Sequence, residues 1–363
     1  MDNAIYTNGL GSARYIVVGN GLDFLPIISF YRGLRLVAEK KVMRLGTEPL
    51  ITIPYGGCEV TNALQKVDKF LVRPCGKKWD GLFLSTSWYK ETVLVGCAET
   101  GSRMFFFKVF KHQSIANQEA ARMKIIRDLY ERWFEIPRVE GVHGRLLVLS
   151  YLPRLEWLPP REGRQLLKKA LIEMPENSEQ QYASLEKLIN SMSYRMDSFN
   201  KAGVSKSKAM QILEKIKNAL RPHIDSYPIQ LAHGDMTPWN SYRTTDGRMA
   251  LVDSERAGFR VRYTDFLHYH AQPRAIARFS FQSPMDYVSE LCRSFSLPMN
   301  SAVTIVCLYL AEEMVIDLGE IDQGRVSRTL CRAFRRRCSW LESILGSTKN
   351  PDMGLAQEGQ WEL

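Results

Sequence analysis

The sequence predicts an α+β protein in which a β-rich segment precedes a mainly helical one. Apolar runs that favour strands are concentrated at 82–110 and 145–153. Apolar residues at helical spacing recur within 164–220 and again at 274–345. A polar loop and a hairpin at 231–255 interrupt the helical part. With 363 residues, the chain is long enough to form two or three cores.

The basic composition indicates an anionic partner, because the formal net charge is +10. A nucleotide, a nucleic acid or a lipid surface would each fit that charge. Many of the arginines lie at 325–337, where a solvated helix face is the favoured interpretation. Aromatic residues that stack on bases are sparse there. We therefore expect no stable binding of nucleic acid.

The sequence predicts no membrane span and no secretory signal. No apolar run reaches the ~18 residues that a membrane helix needs, and the first residues lack a basic and an apolar signal segment. The seven cysteines are scattered without metal-binding spacing, which is typical of proteins in a reducing compartment. Cytoplasmic localisation is therefore expected.

The loop and hairpin at 231–255 carry the most informative polar residues. His233, Asp235 and Asn240 lie in the loop, and Asp253 ends the apolar strand that follows. Two carboxylates and an amide oxygen are hard ligands that suit Mg²⁺, which is usually shared with substrate phosphates. The alternative is a simple turn built on Asp235, followed by a strand-end carboxylate.

A lysine and a glutamate upstream form a second candidate pair. Lys108 lies within an almost wholly apolar strand, where its ammonium must reach water or an anion. Glu119 lies in the first turn of the helix predicted at 116–130. The alternative for Lys108 is a sheet-edge lysine that protects against aggregation.

Taken in order, these residues resemble the conserved motifs of a known superfamily. A strand lysine, a helix glutamate, His-Gly-Asp, an asparagine and a strand-end aspartate are typical of aminoglycoside phosphotransferases and choline kinases. That superfamily has a protein-kinase-like fold. Gly234 stands where protein kinases usually carry arginine, and no Ala-Pro-Glu segment follows, which argues against a protein kinase.

The resemblance implies a bilobal fold with a β-rich N-lobe at 77–152 and a mainly helical C-lobe at 153–345. A small accessory module of unknown role would occupy 1–76, and a flexible tail 346–363. The strand at 145–153 would correspond to the linker between the lobes. A hairpin around 85–90 would cover the phosphates, although serine and threonine replace the usual glycines.

The resemblance also implies ATP and Mg²⁺ as cofactors. Lys108 would hold the α- and β-phosphates, and Glu119 would orient that lysine. Asn240 and Asp253 would hold Mg²⁺. In the loop at 231–240, Asp235 would be the catalytic base and His233 would brace the backbone.

Further along the chain, Asp265 corresponds to the structural aspartate that anchors the catalytic loop from a helix start. His268 and His270 cannot face each other on a helix, so a metal site there is not expected.

The implied activity is transfer of the ATP γ-phosphoryl group to a hydroxyl of a small molecule, such as an aminoglycoside, an amino alcohol or a sugar. A cationic acceptor would need carboxylates or aromatic residues, and Glu313, Asp317 and Glu320 could share one predicted helical face. A solvated face is the favoured interpretation of these three residues. The alternative function is a nucleotide-binding pseudokinase or scaffold, against which the complete set of motif residues argues.

Overall fold

The computed structural model describes most of the chain from residue 92 onward, together with three strands that precede it. The described residues are 3–7, 14–19, 81–85, 92–100, 103–152, 154–173, 181–200, 203–220, 227–238, 240–254, 256–271, 283–324 and 328–347. The predicted phosphate-covering hairpin, apart from Ser85, and the predicted tail beyond residue 347 lie outside this part of the chain.

The chain divides into two compact units. The first contains Met1–Pro159 and Trp239–Glu255, and the second contains Pro160–Pro238 and Arg256–Leu363. The hairpin that follows the His-Gly-Asp loop therefore belongs with the β-rich segment. The lobe boundaries predicted from the sequence stay a prediction.

The first unit is built on a seven-stranded antiparallel sheet of order β1-β2-β3-β4-β5-β7-β6. Its strands are β1 (Asn3–Thr7), β2 (Arg14–Gly19), β3 (Gly81–Ser85), β4 (Thr92–Thr100), β5 (Arg103–Phe110), β6 (Val139–His143) and β7 (Leu146–Ser150). The described residues of the predicted accessory module, β1 and β2, thus extend the same sheet.

One helix, α1 (Gln113–Tyr130), packs against β5, β6 and β7. Its buried face repeats at helical spacing and includes Ala116, Ala120, Met123 and Ile126. The same face also carries Glu119, which is only 3% exposed. A carboxylate on a packed helix face needs a cationic partner, and the adjacent strand β5 supplies it.

A small sheet of order β12-β11-β8 completes the first unit. Its strands are β8 (Arg154–Trp157), β11 (Ser241–Thr244) and β12 (Met249–Leu251). The turn between β11 and β12 uses Gly247 at φ 83°, and Thr244 accepts the amide proton of Gly247 through its carbonyl oxygen. The predicted hairpin at this position is confirmed.

The second unit is mainly helical. Its elements are α2 (Pro160–Glu173), β9 (Gln181–Ala183), α3 (Leu185–Asp197), α4 (Gly203–Leu220), β10 (Tyr227–Ala232), β13 (Gly258–Val261), α5 (Thr264–Ala271), α6 (Pro284–Phe295), α7 (Met299–Asp322) and α8 (Arg328–Ser347). The three strands pair antiparallel in the order β13-β10-β9.

Helix α7 is the centre of this unit, because it packs against α3, α4, α5, α6 and α8. Its residues from Thr304 to Ala311 are buried on every side, as expected for a helix that is apolar all round. No helix in the described part of the chain is long and apolar enough to cross a bilayer. The predicted β-rich segment and helical segment are both confirmed.

The packing of α2 against α5 yields a test of this arrangement. A methyl group at Gly163 would collide with the Tyr269 hydroxyl group, and Tyr269 is buried at 3% exposure. We expect Gly163→Ala to destabilise the protein by about 1–3 kcal/mol, as overpacking commonly does. Gly346→Ala, in α8 with open space around it, is the control and should leave stability unchanged or slightly raised. Denaturant unfolding of both variants measures the difference, and equal stabilities would contradict the packing.

Candidate active site

The first cluster of candidate residues surrounds the Lys108 ammonium. Lys108 lies in β5 and is 7% exposed. Its Nζ atom lies 2.6 Å from Oε1 of Glu119 and 2.6 Å from Oδ1 of Asp253. We call these three residues the Lys108 cluster. The predicted alternative of a lysine that shields a sheet edge is wrong, because β5 lies between β4 and β7 inside the sheet.

The hairpin brings Asp253 to the lysine and holds Asn240 close by. The Val252 amide donates to the Asn240 carbonyl oxygen at 3.0 Å, so Asp253 directly follows a residue that is bonded to Asn240. Asp253 has a left-handed backbone, with φ 70°, a conformation that aspartate and asparagine adopt more readily than other residues with a Cβ. The Asp253 side chain is 37% exposed. Asn240, in contrast, is a buried residue that is only 8% exposed.

The hairpin is fixed to the first unit by the segment that follows α1. The Glu135 amide donates to the Met249 carbonyl oxygen at 2.8 Å, and the Leu251 amide donates to the Glu135 carbonyl oxygen at 2.9 Å. Arg248 also donates to the Glu135 carboxylate at 2.7 Å. These bonds set the position of the strand that ends at Asp253, so that its carboxylate reaches Lys108.

The donor set at the hairpin fits a magnesium ion. One carboxylate and one amide oxygen are few ligands, but Mg²⁺ keeps several waters and commonly takes one or two carboxylates plus substrate phosphates. Within the described ranges, no group of three or more histidines, cysteines, aspartates or glutamates is placed to hold a metal. A closed structural metal site is therefore not formed there, and a shared site on Asn240 and Asp253 stays a prediction.

In the second unit, Asp265 fixes the backbone of the His-Gly-Asp loop. Its two carboxylate oxygens accept the amide protons of His233, at 2.7 Å, and Gly234, at 2.8 Å. Asp265 lies in the first turn of α5, where the helix dipole also favours a carboxylate. This is the contact that the resemblance implies for Asp265. His233 takes part in it through its backbone, and its bracing role stays a prediction.

The Asp235 carboxylate lies next to His268, a histidine of the helix α5 that also carries Asp265. Its Oδ1 atom is 3.2 Å from Nε2 of His268, and its side chain is 18% exposed. Burial raises the pKa of Asp235, but the hydrogen bond from His268 and the positive charge of Arg256 together hold that pKa below its usual value. Asp235 is therefore ionised at neutral pH.

His268 is the residue of this site that sequence reasoning missed. It is completely buried, and its Nδ1 atom lies 3.4 Å from Oε2 of Glu313 and 3.3 Å from the Tyr309 hydroxyl oxygen. The signal that was available is its spacing from Asp265, since residues three apart share one helix face. From the sequence, His268 was expected to be an ordinary core or surface histidine, because His268 and His270 cannot face each other on one helix to form a metal site.

Glu313 belongs to a buried group of charges that we call the Glu313 cluster. Its members are His268, Glu313, Asp317, Arg260 and Arg337. Arg337 forms a short hydrogen bond with Asp317 and lies 3.4 Å from Glu313. Arg260 lies 3.4 Å from Glu313 as well.

These contacts correct two interpretations made from the sequence. Glu313 and Asp317 do not form a solvated face, since they are 0% and 2% exposed. Nor is the arginine run at 325–337 wholly a solvated face, because Arg337 is completely buried. Both misreadings have the same cause. Charge runs are usually solvated, and only the tertiary fold shows that the acids of α7 meet an arginine of α8.

The structure thus groups the predicted site residues by unit. Glu119 and Asp253 each contact Lys108 in the first unit, and Asn240 lies at the same end of the hairpin as Asp253. Asp235 and His233 belong to the second unit, where Asp265 holds the loop. The roles assigned to these residues from the sequence stay predictions.

Comparison with known proteins shows the fold. No protein-family model matches the chain, and no curated protein matches it in sequence. Solved structures match over most of its length. Choline kinase LicA from Streptococcus pneumoniae is 12% identical, with a TM-score of 0.54 over 77% of this chain and 99% of that one. A putative fructosamine-3-kinase from Haemophilus somnus 129PT is 11% identical, with a TM-score of 0.52 over 78% and 97%.

A third match is a thermostable mutant of aminoglycoside phosphotransferase APH(4)-Ia in a ternary complex with AMP-PNP and hygromycin B. It is 14% identical, with a TM-score of 0.53 over 78% of this chain and 98% of that one. At such identities the likeness shows the fold. The protein-kinase-like fold that the motifs predicted is confirmed.

Gly234 offers a test of the loop geometry. Its φ is 80°, and a methyl group there would collide with the Arg256 carbonyl oxygen. Gly247, at φ 83° with open space around it, is a matched control. We expect Gly247→Ala to cost only the ~1–2 kcal/mol of a left-handed alanine. Gly234→Ala should cost clearly more, because a backbone neighbour cannot move aside. Denaturant unfolding measures both, and an equal loss in the two variants would show that the collision is absent.

Proposed function

We propose that this protein transfers the γ-phosphoryl group of ATP to a hydroxyl group of a small molecule. The observation that carries the proposal is the Lys108 cluster. In this cluster, a lysine inside an apolar sheet is held 2.6 Å from a helix glutamate and 2.6 Å from a hairpin aspartate. The pairing is the one that phosphoryl-transfer enzymes of this fold use to position phosphates.

On the nucleotide side, Lys108 would contact the α- and β-phosphates, and Glu119 would keep its ammonium aimed. Glu119 is suited to this because it lies on the packed face of α1, where its side chain has little freedom to move. Asp253 and Asn240 would hold Mg²⁺. Such an ion would neutralise the negative charge that develops on the phosphates during transfer.

On the acceptor side, Asp235 would orient the hydroxyl group and accept its proton. The hydroxyl oxygen forms the new bond to the γ-phosphorus, the bond from that phosphorus to the β–γ bridging oxygen breaks, and ADP leaves. Asp235 is ionised at neutral pH, because His268 and Arg256 favour its charged form. Most of the rate enhancement in such reactions comes from positioning and charge stabilisation, which a carboxylate with a lowered pKa can still supply.

The partners of the acidic residues on α7 narrow the chemical class of the acceptor. Glu313, Asp317 and Glu320 were the carboxylates considered for binding a cationic acceptor, but each of them already has a cation of the protein as its partner. Glu313 and Asp317 pair with Arg337, and Glu320 lies 3.7 Å from Arg256. These contacts favour an uncharged hydroxyl compound, such as a sugar or another polyol, over an aminoglycoside or an amino alcohol. Cytoplasmic localisation, where ATP and Mg²⁺ are available, is part of the same proposal.

The nucleotide half is tested by the Mg²⁺ dependence of ATP binding. Mg²⁺-ATP should raise the melting temperature, because it binds the native state. Asp253→Asn keeps a residue that tolerates the left-handed backbone but removes the charge, and should abolish the Mg²⁺-dependent part of the shift. Asp246→Asn, in the same hairpin with its side chain bonded to Thr244, is the control and should retain it. If ATP produces no shift at any Mg²⁺ concentration, the proposal is wrong.

The acceptor half is tested with Asp235→Asn. The fold and the ATP affinity should persist, because asparagine has the same shape and can still accept a hydrogen bond from His268. Turnover should fall by the ~10²–10⁴-fold typical of losing a positioned acid–base group. The measurements are calorimetric ATP affinity and ATP consumption with sugars, polyols, aminoglycosides and choline-like amines. Unchanged turnover would remove Asp235 from catalysis, and a wild-type protein inactive with every acceptor would favour the scaffold alternative.

A further inference from the structure

Two residues of α5, one turn apart, contact the same loop. Asp265 holds the loop backbone through the amides of His233 and Gly234. His268 reaches the side chain of Asp235. A completely buried histidine in contact with the candidate base needs an explanation of its own, since histidine is costly to bury unless its ring nitrogens are bonded.

The ring of His268 has oxygen atoms on both sides. Its Nε2 atom faces the Asp235 carboxylate at 3.2 Å, and its Nδ1 atom faces the Glu313 carboxylate at 3.4 Å and the Tyr309 hydroxyl at 3.3 Å. A neutral imidazole has one donor, whereas an imidazolium has two. The doubly protonated ring can therefore donate to both carboxylates at once, whereas a neutral ring can donate to only one of them.

The side of the ring remote from Asp235 is itself held by fixed charges. Glu313, on α7, also faces Arg337 of α8 and Arg260 of β13. Arg337 donates in addition to the Ala271 carbonyl oxygen at the end of α5, at 3.2 Å. If Glu313 moved away from His268, it would also lose its contacts with two buried guanidinium groups. These contacts hold Glu313 in place, and Glu313 in turn holds His268.

We propose that His268 is a positioning residue for Asp235, whose carboxylate it holds at Oδ1 as a buried imidazolium anchored by Glu313. The inference rests on the proposed function, because it assigns to Asp235 the role of orienting a hydroxyl acceptor. His268 itself touches neither substrate nor nucleotide. It fixes the rotation of the Asp235 carboxylate, while Asp265 fixes the backbone that carries it.

The electrostatics of the cluster agree with this geometry. Burial lowers the pKa of His268, but the charges of Glu313 and Asp235 more than compensate and raise it to about 9. The imidazolium contributes to folding stability fully below the ordinary histidine pKa of about 6.5, and that contribution is lost as the pH rises through about 9. A purely stabilising ion pair would show this same dependence, so stability alone does not test the proposal.

The test that separates the two roles is kinetic. His268→Ala should lower kcat by about 10²-fold, the loss typical of a misplaced reacting group, with little change in the KM for ATP. His268→Gln keeps a donor for Asp235 but no charge. It should recover most of kcat while moving the acidic limb of the kcat/KM profile to higher pH, because the carboxylate loses a neighbouring positive charge. His270→Gln is the matched control, since His270 lies on the same helix and contacts Arg164 at 3.2 Å. It should leave both quantities unchanged.

A second measurement does not depend on turnover. In protein with ¹⁵N-labelled histidine, the His268 signals, identified by their absence in His268→Gln, should show protons on both nitrogens at pH 7.5. Asp235→Asn should lower the pKa that they report. A neutral His268 at that pH would overturn the ion pair, and with it the proposal, whether or not a substrate is known.

The outcomes distinguish this inference from the proposed function. If wild-type protein turns over an acceptor but His268→Gln keeps both its kcat and its pH profile, His268 has only a structural role and the inference alone fails. The comparison with His268→Gln decides between a positioning role and a structural role even if His268→Ala does not fold. If wild-type protein turns over no acceptor, the proposed function fails and the catalytic consequence falls with it.

Discussion

The constraint on which the first unit depends is the burial of one ammonium group. Lys108 occupies an interior strand of a seven-stranded sheet, and its charge is tolerated there only because two carboxylates reach it. One comes from α1, so the packing of that helix on the sheet is tied to the ion pair. The other comes from the hairpin, which the backbone of Glu135 holds in place. Helix, sheet and hairpin therefore meet at Nζ of Lys108, and a shift of any one of them would break at least one of its two ion pairs.

The second unit solves the same physical problem differently. Its central helix α7 is apolar all round except for acids such as Glu313 and Asp317, which lie in the most crowded part of the unit. Arginines from β13 and α8 reach them. Removing one partner of such a group is far more destabilising than the net worth of the pair, because the remaining charge is then buried alone. The cluster therefore fixes the register of α7 against α8 and β13, and the position of His268 follows from it.

Much of this arrangement was accessible from the sequence, where local pattern and chemistry agree. Lys108 stood out because it is a charge within an apolar strand, whereas Glu119 and Asp265 were chosen through the resemblance. Glu119 was expected in the first turn of its helix, but the helix begins at Gln113, so that Glu119 lies in the second turn. The failures concern charges whose local surroundings look ordinary. Arg337 sits in an arginine run, and Glu313 follows Glu312, so neither pattern indicates burial. Only the crossing of distant helices distinguishes a buried arginine from its exposed neighbours.

His268 illustrates the same limit more sharply, since its meaning depends on Asp265. Once Asp265 is bonded to the loop at His233 and Gly234, the orientation of α5 is set. The residue three positions after Asp265 must then face the same loop, one helical turn further along α5. A short side chain there would leave a gap, and an apolar one would remove the hydrogen bond that joins α5 to the Asp235 carboxylate. Histidine has the length to reach Asp235 and a second nitrogen for Glu313. Backbone and side chain of the candidate base are thus held by a single helix, so that the orientation of α5 determines both.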